Sequence, residues 1–405
     1  MKWIWCLLAG VAAPAAAQTS DLPPEALVIR ALDAQPTVEA AIARVDAARA
    51  EGDALRRGPH EVTVQGSMVR RSVDRDATYA EYDATVTRAF RLPGKAALDR
   101  RSGALGVDIA ENRMEDARHQ AALQLAALWY DWLLAEELHR NAAALIANQR
   151  ALVDATRHRV DVRDAAELEL EQARAALAQA EAQAGDAIAA RDRARTLLEA
   201  RFPDLPLPAD PPPLLDPTMP RESLAELQRL IVARSHEIGA AVGVAERQSV
   251  IARRARADRV ADPSFGVRLF SERGGQEQGA GLVASLPLGG GHRRALADQA
   301  RAGAAAAAAE RIAVEREIAG NAAADVAELR ARQTAWAAAR DAVARAEQTT
   351  ALTTRGQQMG AIDLADRLYA ERQANEVRAQ ELTARAAAAR LILKLRIDSH
   401  TLWIE

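Results

Sequence analysis

Four short stretches of this chain alternate apolar and polar residues, and most of the remainder repeats its apolar positions every three or four. Phe265, Val267 and Leu269 fall on one face of an extended segment, with Gly266 and Arg268 on the other. In the first half, Val62, Val64 and Met68 oppose Thr63, Gln65 and Ser67. The alternation predicts strands over about 61–73, 79–91, 263–272 and 279–288. Helical periodicity predicts helices over about 24–57, 94–158 and 162–200, and again over about 222–258, 290–356 and 361–397. Along the first long one, Leu128, Trp132, Ala135, Leu138, Ala142, Leu145 and Leu152 make a coiled-coil-like seam. A helix of that span would extend roughly 100 Å, too far to fold around one small core. Trp129, Trp132 and Trp336 are expected to pack on these helices rather than bind cargo.

Proline sharpens the boundaries. Eight of the 16 prolines lie between Pro203 and Pro220, in an extended connector, while residues 94–202 and 288–405 contain none. The halves on either side match. "FRLPGKAALDRR" from Phe90 faces "SLPLGGGHRRAL" from Ser285, and "DAAELEL" faces "GAIDLAD" further along. The expected organisation is a first repeat at 18–202, a connector at 203–221 and a second repeat at 222–405. Each repeat carries a strand pair, about 61–91 or 263–288, and a helical hairpin, about 94–200 or 290–397.

The first residues read as a cleaved secretory signal, 1–17. Lys2 precedes a short apolar run, and Ala15, Ala16 and Ala17 precede Gln18. Cys6, the only cysteine, would leave with it, so the exported chain would form no disulfide. The net charge of −3 gives no reason to expect a nucleic-acid partner. With 3% aromatic residues and abundant alanine, the composition suits long packed helices better than a bulky globular core. No later segment has the uninterrupted apolar run of a membrane helix, so any crossing of a bilayer must use strands. Four strands cannot close a barrel, and an open sheet in lipid leaves unpaired edges. Strands pooled from three chains would give twelve, enough to enclose a lumen that the helices continue.

The fold class expected is therefore mainly α with membrane β strands. A duplicated helix–strand–strand–long helix–helix unit would form a trimeric 12-stranded β-barrel continued by a long α-helical barrel. This plan resembles the TolC-type outer-membrane efflux proteins over essentially the whole exported chain. "ADPSFGVRLF" followed by "GLVASLPLGGGHRRALADQ" is similar to that family's second strand pair and its turn into the long helix. "RAFRLPGK" resembles the heavy-metal cation efflux branch, and "GAIDLADRLYAERQANEVRAQELTARAAAARLILKLRI" resembles the family's last helix.

The resemblance implies a homotrimer in the outer membrane of a Gram-negative bacterium, in contact with lipid and reaching into the periplasm. It implies a periplasmic adaptor protein and an inner-membrane efflux pump as partners, with no enzymatic activity and no cofactor. It places Asp363 and Asp366 at the narrow periplasmic entrance, where a ring of carboxylates would favour cations. The i, i+3 spacing puts the pair on one helical face, where carboxylates at a helix start are also favoured by the dipole. The tips around Asp164, Glu167 and Gly360 would contact the adaptor, with Asp164 standing where the second half has Gly360. Glu169 and Glu171 add acid near the same tip. Pro93 and Gly94, and Pro287 with Gly289, Gly290 and Gly291, would form the joints between barrel and tunnel, with Pro287 ending the strand.

"SLPLGGGHRRALADQ" does not fit a phosphate-binding loop, because it lacks the G-x-x-x-x-G-K-[ST] pattern. The seven histidines, His60, His119, His139, His158, His236, His292 and His400, are scattered without ligand spacing, so no metal site is expected. Metal cations are the favoured cargo, with drug or solvent efflux and type I protein secretion as alternatives. A periplasmic adaptor or a structural coiled-coil protein is the competing class. The first would lack the duplication and the second the paired strands.

Overall fold

The computed structural model describes residues 21–404, so the expected signal segment and Cys6 lie outside the described residues. Eight helices and four strands follow in the order α1 (Glu25–Asp33), α2 (Pro36–Arg57), β1 (Val62–Ser72), β2 (Thr78–Ala89), α3 (Lys95–Asp161), α4 (Glu167–Arg201), α5 (Leu224–Arg234), α6 (His236–Ala257), β3 (Ser264–Glu272), β4 (Glu277–Ser285), α7 (Gly291–Gln358) and α8 (Leu364–Asp398). The long helices α3 and α7 run for 67 and 68 residues, and α4 and α8 for 35 each. Proline-free sequence allows those lengths.

Two segments expected as single helices are each two. The span 24–57 breaks at Gln35, which is extended at φ −71°, ψ 132° because Pro36 follows it and opens α2. The span 222–258 breaks at Ser235, whose hydroxyl accepts the Ile238 N–H at 3.1 Å and so caps α6. β4 also ends earlier than expected. Its last pairing is Ser264 with Ser285, so Pro287 lies two residues beyond the ladder and does not terminate it.

The strands form one antiparallel sheet in the order β1-β2-β3-β4, with β1 and β4 at its edges. Among the described residues no helix is long and apolar enough to cross a membrane.

The chain divides into two compact units, each drawing on both sequence halves. One contains the chain up to Ile29, Ala127–Thr218 and Arg332–Arg390. Its core includes Leu152 and Val153 of α3, Leu170 and Ala173 of α4, and Leu364 of α8. Trp129 and Trp132 are buried there, with rings edge-on at 5.2 Å. Trp129 donates to the Asp21 carbonyl at 2.7 Å, and half-buried Trp336 donates to Glu381 at 2.9 Å, so all three indoles are packed as expected. Of the expected seam on α3, Trp132, Ala135 and Leu152 are buried, whereas Leu128, Leu138, Ala142 and Leu145 are only partly so. The Pro-rich connector lacks regular structure but buries Leu205 and Leu214.

The other unit contains Arg30–Ala126, Met219–Ala331 and the chain from Leu391 onwards. It holds the whole sheet and a second core of Leu227 and Ile231 (α5), Ala322, Val326 and Leu329 (α7), and Leu391, Ile392 and Leu395 (α8). Burying each such aliphatic side chain contributes about 1.5–3 kcal/mol.

Candidate functional site

The sheet has two chemically different faces. Register pairs Val64 with Val86, Val86 with Val267, and Val267 with Leu282, giving an apolar row across all four strands. Gly66, Ala84, Leu269 and Ala280 form the next row on the same face. On the opposite face, Gln65 pairs with Thr85 and Thr85 with Arg268. Arg71 reaches Glu81 at 2.8 Å there, and Arg268 bonds Asp83. The apolar row is open to solvent in the single chain: Val64 is 71% exposed and Leu282 92%. A contiguous apolar face of this kind needs a non-aqueous neighbour. Together with unpaired edges at β1 and β4, it is the pattern of a membrane barrel wall, apolar outside and polar inside.

Two joints lead from this sheet into the long helices. Gly94 precedes α3 at φ 87° and Gly289 precedes α7 at φ 104°, a left-handed conformation open to glycine. Gly290 has no such φ, and Gly291 already opens α7. One glycine per joint therefore carries the turn. Pro93 sits immediately before the first of these glycines, and Pro287 two residues before the second.

The first joint is locked by buried charge that the sequence did not reveal. Lys95 is 1% exposed, and its ammonium bonds Asp262 Oδ1 at 2.7 Å, Asp258 Oδ1 at 2.9 Å and the Val260 carbonyl at 2.8 Å. Asp262 also contacts His60 Nε2 at 2.9 Å and accepts the Leu92 N–H at 3.0 Å. Burial by itself would raise the Asp262 pKa, but Lys95, His60 and the Leu92 amide outweigh it and bring it down to about 2. Beside this knot, Arg91 bonds Asp99 at 2.9 Å and reaches the Leu55 and Arg56 carbonyls at 2.8 Å, capping the end of α2. The second joint is barer: Leu288 is 88% exposed, and Arg293 reaches only the Pro287 and Gly289 carbonyls.

The helical tips, in the unit without the sheet, share one backbone motif. Arg163 N–H bonds the Val160 carbonyl at 2.9 Å and Asp164 N–H the Arg159 carbonyl at 2.7 Å. Gly360 N–H bonds Gln357 at 3.0 Å and Ala361 N–H bonds Gly356 at 2.9 Å in the same pattern. Both are Schellman closures. The residue equivalent to Gly360 is therefore Arg163, at φ 63°, and not Asp164.

Asp363 and Asp366 bracket the start of α8. Asp363 is the residue ahead of α8, and its Oδ1 accepts the Asp366 N–H at 2.8 Å as a cap. Both are exposed, and neither has a salt-bridge partner among the described residues. In the first tip Glu167 is exposed, whereas Asp164 and Glu169 are both tied to Arg159, at 3.0 and 3.2 Å. Among the described residues, the tip carboxylates without an ion pair are therefore Glu167 in the first tip and Asp363 and Asp366 in the second.

The histidines are not all scattered. His119, His236 and His400 meet in the unit that holds the sheet, with ring centres 5.8 Å apart for His119–His400 and 4.8 Å for His236–His400. Burial first, and then the neighbouring imidazoles, lower the His400 pKa to about 4. Spacings of more than a hundred residues hid this cluster from any ligand motif.

No protein-family model matches the sequence, and no curated protein matches it. Solved structures do match in fold. The chain has the fold of outer-membrane channels, a mostly helical protein with a small antiparallel sheet. The outer-membrane channel OprN superposes with a TM-score of 0.78 at 20% identity, over 93% of this chain and 90% of that one. The transmembrane channel CusC gives a TM-score of 0.75 at 17% identity, over 93% and 91%. The outer membrane protein VceC of Vibrio cholerae gives 0.74 at 18%, over 92% and 95%.

Proposed function

We propose that this chain, as a homotrimer, is the exit duct of a tripartite efflux system in the outer membrane of a Gram-negative bacterium. It conducts passively what an inner-membrane pump and a periplasmic adaptor deliver. The observation that carries this reading is the sheet, with its exposed apolar row from Val64 to Leu282 and two unpaired edges. Joining β4 of one chain to β1 of the next removes every edge and turns the apolar row towards lipid. Twelve strands would then enclose a lumen lined by the face that carries Thr85, Asp83 and Arg268. The shared fold with OprN, CusC and VceC supports the same reading.

Metal cations are the cargo we favour. The Leu-Pro-Gly-Lys turn at Leu92–Lys95 and the unpaired Asp363 and Asp366 support that choice. Six carboxylates around a threefold axis would concentrate cations at the entrance. The tips around Asp164, Glu167 and Gly360 are the surfaces we assign to the adaptor.

Fractionation combined with gene deletion tests both levels. The reading expects heat-modifiable trimers in the outer-membrane fraction and a deletion strain with lowered tolerance to divalent metals. A soluble periplasmic protein would overturn the channel. Unchanged metal tolerance with lost drug resistance would overturn the cargo alone.

A further inference from the structure

We propose that Asp116 and His119 of α3 and Glu237 of α6 form a binding site for one zinc-class divalent cation. The inference is independent of what the channel transports.

Each of the three residues offers a ligand atom, and these atoms lie within 4.8 Å of one another. Asp116 and His119 are spaced i, i+3 and so lie on one face of α3. Glu237 stands in the first turn of α6, where the Ser235 hydroxyl holds its other oxygen at 2.7 Å.

The decisive feature is the orientation of the His119 ring. This side chain is 8% exposed, and its Nε2 lies 2.9 Å from Asp398 Oδ1. A carboxylate accepts from the ring, so Nε2 carries the hydrogen, and in the neutral imidazole Nδ1 is then the nitrogen that offers a lone pair to a cation. Nδ1 is buried and has no hydrogen-bond partner. It lies 3.8 Å from Glu237 Oε1, too far for a hydrogen bond. Two ligands held about 2.1 Å from one ion at a tetrahedral angle stand about 3.4 Å apart. The observed gap is therefore close to an inter-ligand distance. The Asp398–His119 pair is also the carboxylate–histidine arrangement that orients metal-binding imidazoles.

Charge argues the same way. The Asp116 and Glu237 carboxylates each bring an oxygen within 4.8 Å of a His119 ring nitrogen. Asp116 accepts from the Gln120 amide at 3.2 Å, and neither carboxylate is paired with an arginine or lysine among the described residues. The nearby Lys394 is occupied by Asp325 and by Asp398, the latter at 2.8 Å. A cavity of about 150 Å³, lined by His119 and Glu237 among others, gives an ion room to enter. One imidazole nitrogen with two carboxylates suits zinc, cobalt or nickel better than magnesium or calcium, which prefer oxygen alone.

The test is calorimetric titration of zinc chloride into the detergent-solubilised, chelator-stripped full chain at neutral pH. Cobalt absorption serves as a second readout of nitrogen ligation. One saturable equivalent per chain is expected, weakened at least tenfold by Asp116→Asn and by Glu237→Gln. Asp398→Asn, a positioning change, should weaken binding about 10–100-fold and shift the cobalt spectrum. The exposed His292→Ala should leave binding unchanged. Both carboxylate variants keep side-chain shape, and retention of the trimer confirms that they fold. Absence of saturable zinc binding, or wild-type affinity retained in Asp116→Asn and Glu237→Gln, would overturn the site. So would stability that responds to pH through these histidines but not to zinc.

Discussion

Lys95 Nζ and Asp262 Oδ1 are 2.7 Å apart, and this bond ties the first residue of α3 to the segment that leads into β3. It joins the start of the first repeat's long helix to the second repeat's strand pair. Removing one partner of a buried pair leaves an uncompensated charge, at a cost of about 3–5 kcal/mol. Lys95→Met is therefore expected to lower the denaturation midpoint of the detergent-solubilised protein markedly. Asp262→Asn should cost less, because an amide can still accept from the Leu92 N–H.

The same carboxylate sets an acid dependence. Its pKa is lowered from 3.8 to about 2 in the folded chain, so its contribution is fully present above pH 3.8 and is lost as the pH falls through about 2. The stability gap between wild type and Asp262→Asn should be constant above about pH 4 and close below it. Denaturation series at stepped pH measure that gap.

At the joints, Gly94→Ala and Gly289→Ala should each destabilise by about 1–2 kcal/mol, the cost of a left-handed L-residue. An added Cβ meets nothing within 4 Å at either position, so the cost is backbone strain alone. Gly290→Ala has neither strain nor clash and should be near neutral. Thermal unfolding of the three variants side by side distinguishes a turn made by one glycine from one made by the run.

The sheet's two faces should respond oppositely to charge. Leu282→Arg places a guanidinium on the apolar face, and an arginine at the bilayer midplane costs about 2–4 kcal/mol. Gln65→Arg places one on the polar face. The fraction of heat-modifiable trimer in the outer membrane should fall for the first and hold for the second.

At the tip, Asp363→Asn keeps a capping side chain and removes only charge. With Asp366→Asn, it should lower the cation-to-anion permeability ratio several-fold in planar bilayers. Glu169→Gln should change it less, because Arg159 already offsets that carboxylate at 3.2 Å.

Local patterns were legible in the sequence and long-range ones were not. Alternation located all four strands, because a strand with two chemically different faces writes them directly into the chain. The break at Pro36 was visible in the sequence, whereas the one at Ser235 depends on a side-chain cap that periodicity does not encode. The tip equivalence failed because Arg163 adopts a conformation usually left to glycine, so residue type misled the alignment. The Lys95 knot and the His119–His236–His400 cluster join residues more than a hundred positions apart. Only the folded chain brings them together.

The central claim is that three chains share one barrel, and a disulfide between β1 and β4 tests it most directly. Within one chain these edges are three strand spacings apart, about 14 Å, and a disulfide spans Cα atoms no more than about 6.8 Å apart. Gln65→Cys and Gly281→Cys, on the same sheet face in a Cys6→Ser background, can therefore join only neighbouring chains. Companion pairs shifted by two residues along each strand sample the register. Oxidised outer membranes run without reductant should show a covalent ladder ending at the trimer for at least one pair. Monomer alone for every pair, with the cysteines proven reactive, would contradict the shared barrel.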